Sequence, residues 1–273
     1  MSRPSADPES FAKEYRRRAS KLCRLAKEMP ARPSPKAVHD IRVTARRVQG
    51  MRKLLPGRMR RTGGSFRLDE ALRATLKETS RLRDIDSLLH VLRPYTDSLP
   101  PGLLGSLANE RSDASALARA AVGRTMGIET SDLRSADLSR KGLTRRLRKW
   151  SKRRGRDVSK LLGEVLGDES KVVELHALRK EVKKLKYLLE LAEEEPPGLS
   201  VLIEWQERLG QIHDLDIAIA YLESVWTHVK SEKVLLQLLK VRRLAYAQFS
   251  RECRNRLHAA KGSASWLPVR PNT

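Results

Sequence analysis

Apolar residues recur at three- and four-residue spacing along almost the whole chain, and Pro, Gly and Ser/Asp punctuation interrupts them, which predicts eight helical segments. The first opens with Asp7 as N-cap, Pro8 and Glu9 in the first turn, carries Phe11, Tyr15, Leu22 and Ala26 at helical spacing, and ends at Met29-Pro30. The second runs from Ser34-Pro35 to Pro56-Gly57, the third from about Phe66 to Arg93, and an Ala-rich fourth from about Gly102 to Gly127. Glu129 to Ser135 reads as a linker. The second half repeats this plan, with helices over about Leu138–Leu166, Ser170–Glu194, Leu199–Val229 and Ser231–Gly262, and Ser263–Thr273 as a disordered tail.

The repetition is also in the letters. His39-Asp40-Ile41-Arg42-Val43-Thr44-Ala45-Arg46-Arg47-Val48 returns as His176-Ala177-Leu178-Arg179-Lys180-Glu181-Val182-Lys183-Lys184-Leu185, and Leu82-Arg83-Asp84-Ile85-Asp86 returns as Ile212-His213-Asp214-Leu215-Asp216. A longer loop at Gly57–Ser65 absorbs the difference in offset. The expected fold class is all-α, two pseudo-symmetric four-helix bundles over residues 8–128 and 138–262. Duplicated helical units usually pack about a pseudo-two-fold axis, so equivalent faces are expected to turn toward each other across a central groove.

Both histidine-headed segments are two-faced. With about 100° per residue, Arg42, Arg46, Gln49 and Lys53 fall within about 80° of His39, while Ile41, Ala45, Val48, Met51 and Leu55 gather opposite. In the second copy His176, Arg179, Lys183 and Lys186 share one face, with Leu178, Val182, Leu185, Leu188 and Ala192 behind. A solvated helix of a basic protein can look like this. These two differ in having few i,i+4 acidic partners, in occurring twice, and in carrying the histidine in an early turn, where free amides and the helix dipole favour an anion.

Composition narrows the partner. The 273 residues hold 56 Lys+Arg against 33 Asp+Glu, a formal charge of +23, which points to a polyanion or an acidic surface. Four Trp, five Tyr and three Phe are few for a surface that stacks bases. No apolar run reaches the roughly 18–20 residues that cross a bilayer, and the first ten residues lack a hydrophobic signal core, so a cytoplasmic protein is expected. Cys23 and Cys253 lie far apart inside helical patterns, which indicates neither a disulfide framework nor a zinc site.

As metal ligands the histidines have no Cys cluster and have cationic neighbours that would repel a divalent ion, and they lack the Ser or Cys neighbour of a nucleophile pair, but they fit as donors to phosphate oxygens, an anion favouring the charged ring. Asp84/Asp86 and Asp214/Asp216 point roughly 200° apart within each pair, so neither pair can share one ligand. Each Asp is expected to orient an Arg or His of a neighbouring helix. Arg140 to Lys160 holds eleven Lys/Arg and one acidic residue, Asp157, with Leu143, Leu147 and Trp150 as its buried stripe. Arg16, Arg17, Arg18, Lys21 and Arg24 give the first helix a comparable place, and Glu190, Glu193, Glu194 and Glu195 read as a solvated helix end.

With Val38-His39-Asp40-Ile41-Arg42-Val43-Thr44-Ala45-Arg46-Arg47, Arg83-Asp84-Ile85-Asp86, Leu175-His176-Ala177-Leu178-Arg179, Lys183-Lys184-Leu185-Lys186-Tyr187, Gln206-Glu207-Arg208-Leu209-Gly210 and Asp214-Leu215, the sequence resembles the CHAD family, the conserved histidine α-helical domain, over about Glu9 to Lys261. The resemblance implies two four-helix bundles around a central basic cavity. It also implies binding of inorganic polyphosphate by the histidines and the Arg/Lys that follow them. The family's Leu-Gly before the Asp motif is Leu209-Gly210 in the second unit but Thr79-Ser80 in the first, which calls close packing there into question. Relatives often carry a tunnel-type triphosphatase domain. This chain has no room for one and no Glu-x-Glu-x-Lys pattern, so no hydrolysis is expected.

The candidate polyphosphate-binding set is His39, Arg42, Arg46, Arg47 and Lys53, with Arg17 and Lys21 from the first helix, facing His176, Arg179, Lys183, Lys184 and Lys186. Asp84, Asp86, Asp214 and Asp216 are supporting residues, and no cofactor, metal or catalytic residue is expected. The leading expectation is a non-enzymatic polyphosphate-binding protein, with which tethering to polyphosphate granules is compatible; the alternatives are a nucleic-acid-binding basic helical protein and a histidine phospho-acceptor.

Overall fold

The computed structural model describes residues 6–60, 63–126, 133–192, 196, 198–225 and 232–260, and these contain helices and no strand. The helices are α1 (Pro8–Lys27), α2 (Pro35–Leu54), the short α3 (Gly57–Arg60), α4 (Gly63–Leu92), α5 (Leu103–Gly123), α6 (Arg140–Val165), α7 (Val172–Leu189), α8 (Leu199–Val225) and α9 (Glu232–Ala260). Short 3-10 turns follow α4 at Arg93–Ser98 and precede α6 at Ser135–Asp137. The ends are where the punctuation places them. Asp7 accepts from the Ser10 amide at 2.8 Å and Ser34 from the Ala37 amide at 3.2 Å, each with Pro in the first turn. The expected loop at Gly57–Ser65 instead contains α3 and the start of α4. Residues 129–132 of the expected linker, Glu193–Glu195 and the expected tail lie outside the described residues.

Packing runs in one order through each half. α1 lies on α2, α2 on α4 and α4 on α5; α6 lies on α7, α7 on α8 and α8 on α9. The halves meet where α2 packs on α7 and α4 on α8. The hydrophobic clusters do not divide at the sequence midpoint. Leu143 and Leu147 of α6, Leu215 and Leu222 of α8, and Val234 and Leu238 of α9 belong to the cluster built on α1, α2, α4 and α5. Val158 and Leu162, Trp205 and Ile212, and Phe249 and Cys253 of the same three helices form the second cluster with α7. Trp150, expected in the buried stripe of α6, is only half-buried, and Lys53, Arg153 and Arg154 stand 5.5–5.8 Å from its ring centre.

One buried ion pair ties the first half together. Arg52, 3% exposed, donates from Nε and Nη2 to both carboxylate oxygens of Asp69 on α4 at 2.7 and 2.9 Å, and from Nη1 to the Tyr15 hydroxyl on α1 at 3.3 Å. Thr79 is fully buried in α4, so its departure from the Leu-Gly pattern leaves the packing intact. A Cβ at Gly210 would meet nothing within 4 Å, so the glycine is not there for close approach.

Candidate functional site

The junction of α2, α4, α7 and α8 encloses a cavity of about 410 Å³. Eight cations line it, Arg42, Arg46, Arg47, Arg83, Arg179, Lys180, Lys183 and Lys186, against two carboxylates, Asp84 and Asp214. His39, His176 and His213 complete the polar wall with Ser80, Ser87, Tyr187 and Gln206. The apolar backs of the helices position these groups. Ile41, Ala45, Val48 and Met51 on α2, and Leu178, Val182 and Leu185 on α7, are buried, which leaves the opposite stripes to face the cavity.

The cations are held in different ways. Arg42 Nη1 donates to the Leu76 carbonyl and to Thr79 Oγ1, both at 3.0 Å, so its guanidinium is tied to α4. For its repeat counterpart Arg179 the residue equivalent to Thr79 is Leu209, which has no side-chain acceptor, and the buried Nε of Arg179 has no hydrogen-bond partner among the described residues. Gln206 Oε1 in the same wall is likewise unpaired. Arg47 and Lys186 share Glu190, at 3.1 and 3.6 Å, and both stand over the Tyr187 ring. Glu190 is therefore a largely buried partner of two wall cations, not part of a solvated helix end. Arg46, Lys180 and Lys183 have no ion-pair partner among the described residues.

Crowding of like charge shows in the acid–base properties. Burial, then Arg179, Arg46 and Arg42, pull Lys183 down to about 7. Burial and then Arg46 pull Arg42 to about 10, and Arg46 and Arg179 are lowered chiefly by burial. His176 and His213 meet Nδ1 to Nδ1 at 3.0 Å, one ring donating its proton to the other. Burial, then Lys180 and Arg179 for His176 and Arg179 for His213, take them to about 4 and about 3. His39 is lowered as well, by burial first. His176 and His213 are thus neutral at pH 7 without a bound anion, the condition under which the charged ring is expected, and one N–H of the pair is spent on the bond between them. Burial raises Asp84, opposed by Arg42, Arg179 and Arg83.

Of the candidate residues, His39, Arg42, Arg46, Arg47, His176, Arg179, Lys183 and Lys186 come together in the cavity. Lys53 and Lys184 line a smaller recess beside it, formed with Trp150 and Arg154. Lys53 lies seven residues past Arg46, about 10 Å along the axis, beyond the cavity's edge. Lys184, about 100° round from Lys183, turns to Glu181 at 2.5 Å. Arg17 and Lys21 line neither space: they are exposed on α1, Arg17 bound to Glu14 at 2.6 Å. Both stand about 200° from residues of the buried stripe, Arg17 from Tyr15 and Lys21 from Ala19, and so point away from it.

The aspartate pairs divide. Asp84 and Asp214 face the cavity, Asp214 accepting from Ser87 Oγ at 3.0 Å and lying 3.6 Å from Arg83. Asp86 and Asp216 face outward to the next helix, pairing with Arg111 at 2.6 Å and Arg242 at 2.8 Å. Arg83, Lys180 and His213 are the basic wall residues that the sequence reading left out of the site, along with the neutral Ser80, Ser87, Tyr187 and Gln206. Arg83 and His213 hold equivalent repeat positions, each one residue before the first Asp of the motif.

The class defined by this architecture is an all-helical protein with a cation-lined cavity at the contact of its two halves. The model of the CHAD domain matches residues 15–223, and the chain belongs to that family. The fold is similar to the crystal structure of the CHAD domain from the plant Ricinus communis, with a TM-score of 0.53 and 18% identity over 94% of this chain and 89% of that one. No curated protein matches the chain.

Proposed function

We propose that the protein binds inorganic polyphosphate in this cavity without chemically changing it. The observation that carries the reading is eight half-buried or exposed cations converging on one concavity that holds two carboxylates. Arg46 and Lys183 on facing helices lack ion-pair partners among the described residues, which suits a ligand that brings its own negative charge. Arg42 and Arg179 offer planar donors to phosphate oxygens, and Lys180, Lys183 and Lys186 act as point charges. In this reading residues 8–128 and 138–262 supply the two walls of one site. A concave wall suits a thin flexible chain of phosphates better than a duplex, which DNA-binding helices meet by protruding into a groove. Retention in the cytoplasm, at polyphosphate granules where these exist, follows from the same affinity.

Direct titration with long-chain polyphosphate tests the reading. Wild type should bind with a steep negative dependence on salt, as release of counterions requires. Replacing Arg42, Arg46 and Lys183 together by Ala should weaken binding by about tenfold or more per lost contact, since a hydrogen bond to a charged group contributes about 1.5–3 kcal/mol. Unchanged affinity in a folded triple variant, or binding indifferent to salt, would reject the assignment.

A further inference from the structure

Outside the cavity, α6 carries a second cationic feature. Lys141, Arg145, Lys149, Lys152 and Arg156 are exposed, fall within about 80° of one another around the helix, and make no ion pair among the described residues. The stripe is about 22 Å long at 1.5 Å per residue. A bridge of cations and aromatic surface joins it to the site. The recess lined by Lys53, Trp150 and Arg154 shares Arg46, Lys183 and Tyr187 with the main cavity, so the two spaces adjoin. Arg153, one turn on from Lys149 and Trp150, falls between their directions and stands 5.7 Å from the Trp150 ring centre.

We infer that the binding track does not end at the cavity: a long polyphosphate chain leaves it past Arg46 and Lys183, crosses the Trp150 recess, and runs out along the α6 stripe. The inference rests on the polyphosphate reading of the cavity and adds a chain-length preference to it. Chains short enough to lie within the cavity use only its walls, whereas longer ones gain the outer cations through the same polymer, as a second binding event at high effective concentration. The occupant is a phosphate polymer because the stripe is continuous with the cavity and presents charge without base-stacking rings of its own.

The test compares tripolyphosphate with long-chain polyphosphate at fixed ionic strength, on wild type and on Lys149→Ala/Arg153→Ala/Arg156→Ala, all three exposed. The expected result is a long-chain affinity at least tenfold lower in the variant, with tripolyphosphate affinity unchanged. With Trp226→Phe and Trp266→Phe in place, the emission of Trp150 and the buried Trp205 should change with the long chain and not with tripolyphosphate, and the change should vanish when Trp150→Phe is added. Long-chain affinity unaltered by the triple change overturns the inference, and so does an equal loss for both ligands, which marks a diffuse charge effect. Duplex DNA that binds better than the long chain at matched phosphate, and is lost in the same variant, gives the stripe to nucleic acid and also overturns it. Failure of the cavity reading is distinct: Arg46→Ala/Lys183→Ala would then leave tripolyphosphate binding untouched.

Discussion

Lys183 is a lysine whose charge the cavity strongly suppresses. Its folded-state pKa of about 7 lies below the ordinary 10.5, so between these values the unfolded chain holds a proton that the empty fold does not. Stability of the empty protein therefore rises with pH across that window, and the penalty is fully present below about 7. A phosphate beside the ammonium reverses the preference, so binding above pH 7 must take up a proton. Polyphosphate affinity should fall as pH rises from 7 to 9, and titration calorimetry at pH 8 in buffers of different ionisation enthalpy should report the uptake. Lys183→Arg should bind but lose this proton uptake, because the guanidinium keeps its charge. Uptake that persists in that variant would place the titrating group elsewhere. The stripe bearing Lys183 was legible from helical spacing alone. His213 was not, since a histidine beside an Asp motif has no sequence mark of facing His176 until α7 and α8 are packed.

Within α4 and α8, the spacing of two between aspartates separates binding from support. It showed that the two side chains diverge, but not which one enters the cavity; that depends on α4 having α8 on one side and α5 on another. Asp86, with a side chain only 1% exposed, fixes Arg111, which also donates to the Pro33 carbonyl at 2.7 Å just before α2. Asp86→Ala leaves that arginine without its carboxylate and should cost about 3 kcal/mol, the scale for breaking a buried pair. Denaturant unfolding should show the loss, while polyphosphate affinity of the folded variant stays within about threefold of wild type. A large loss of affinity at unchanged stability would assign Asp86 to the binding wall. The role of Arg52 was likewise hidden in sequence. One more arginine in a basic helix looks like surface charge until Asp69 and Tyr15 close over it.

The whole molecule sets apolar cohesion against charge. The sequence repeat made two halves legible, but not the sharing of core between them. Helices α6, α8 and α9, of 26, 27 and 29 residues, are long enough to cross both hydrophobic clusters, so the cavity walls are braced by helices that also hold the opposite half. That bracing must withstand the repulsion of eight lining cations in a chain of net charge +23. A ligand that binds only the folded state stabilises it by about 2.7 kcal/mol at a free concentration 100 times Kd. For a chain of this size that corresponds to a rise in Tm of about 5–10 °C. Removing Arg46 and Lys183 should change the balance in two opposite ways. The empty variant, freed of two crowded cations, should melt above empty wild type at low salt, and polyphosphate should raise its Tm far less. Thermal scans of both proteins, with and without polyphosphate at constant ionic strength, measure the two effects together. If the variant melts lower when empty and keeps the full ligand-induced rise, the stabilising anion sits somewhere other than between these facing rows.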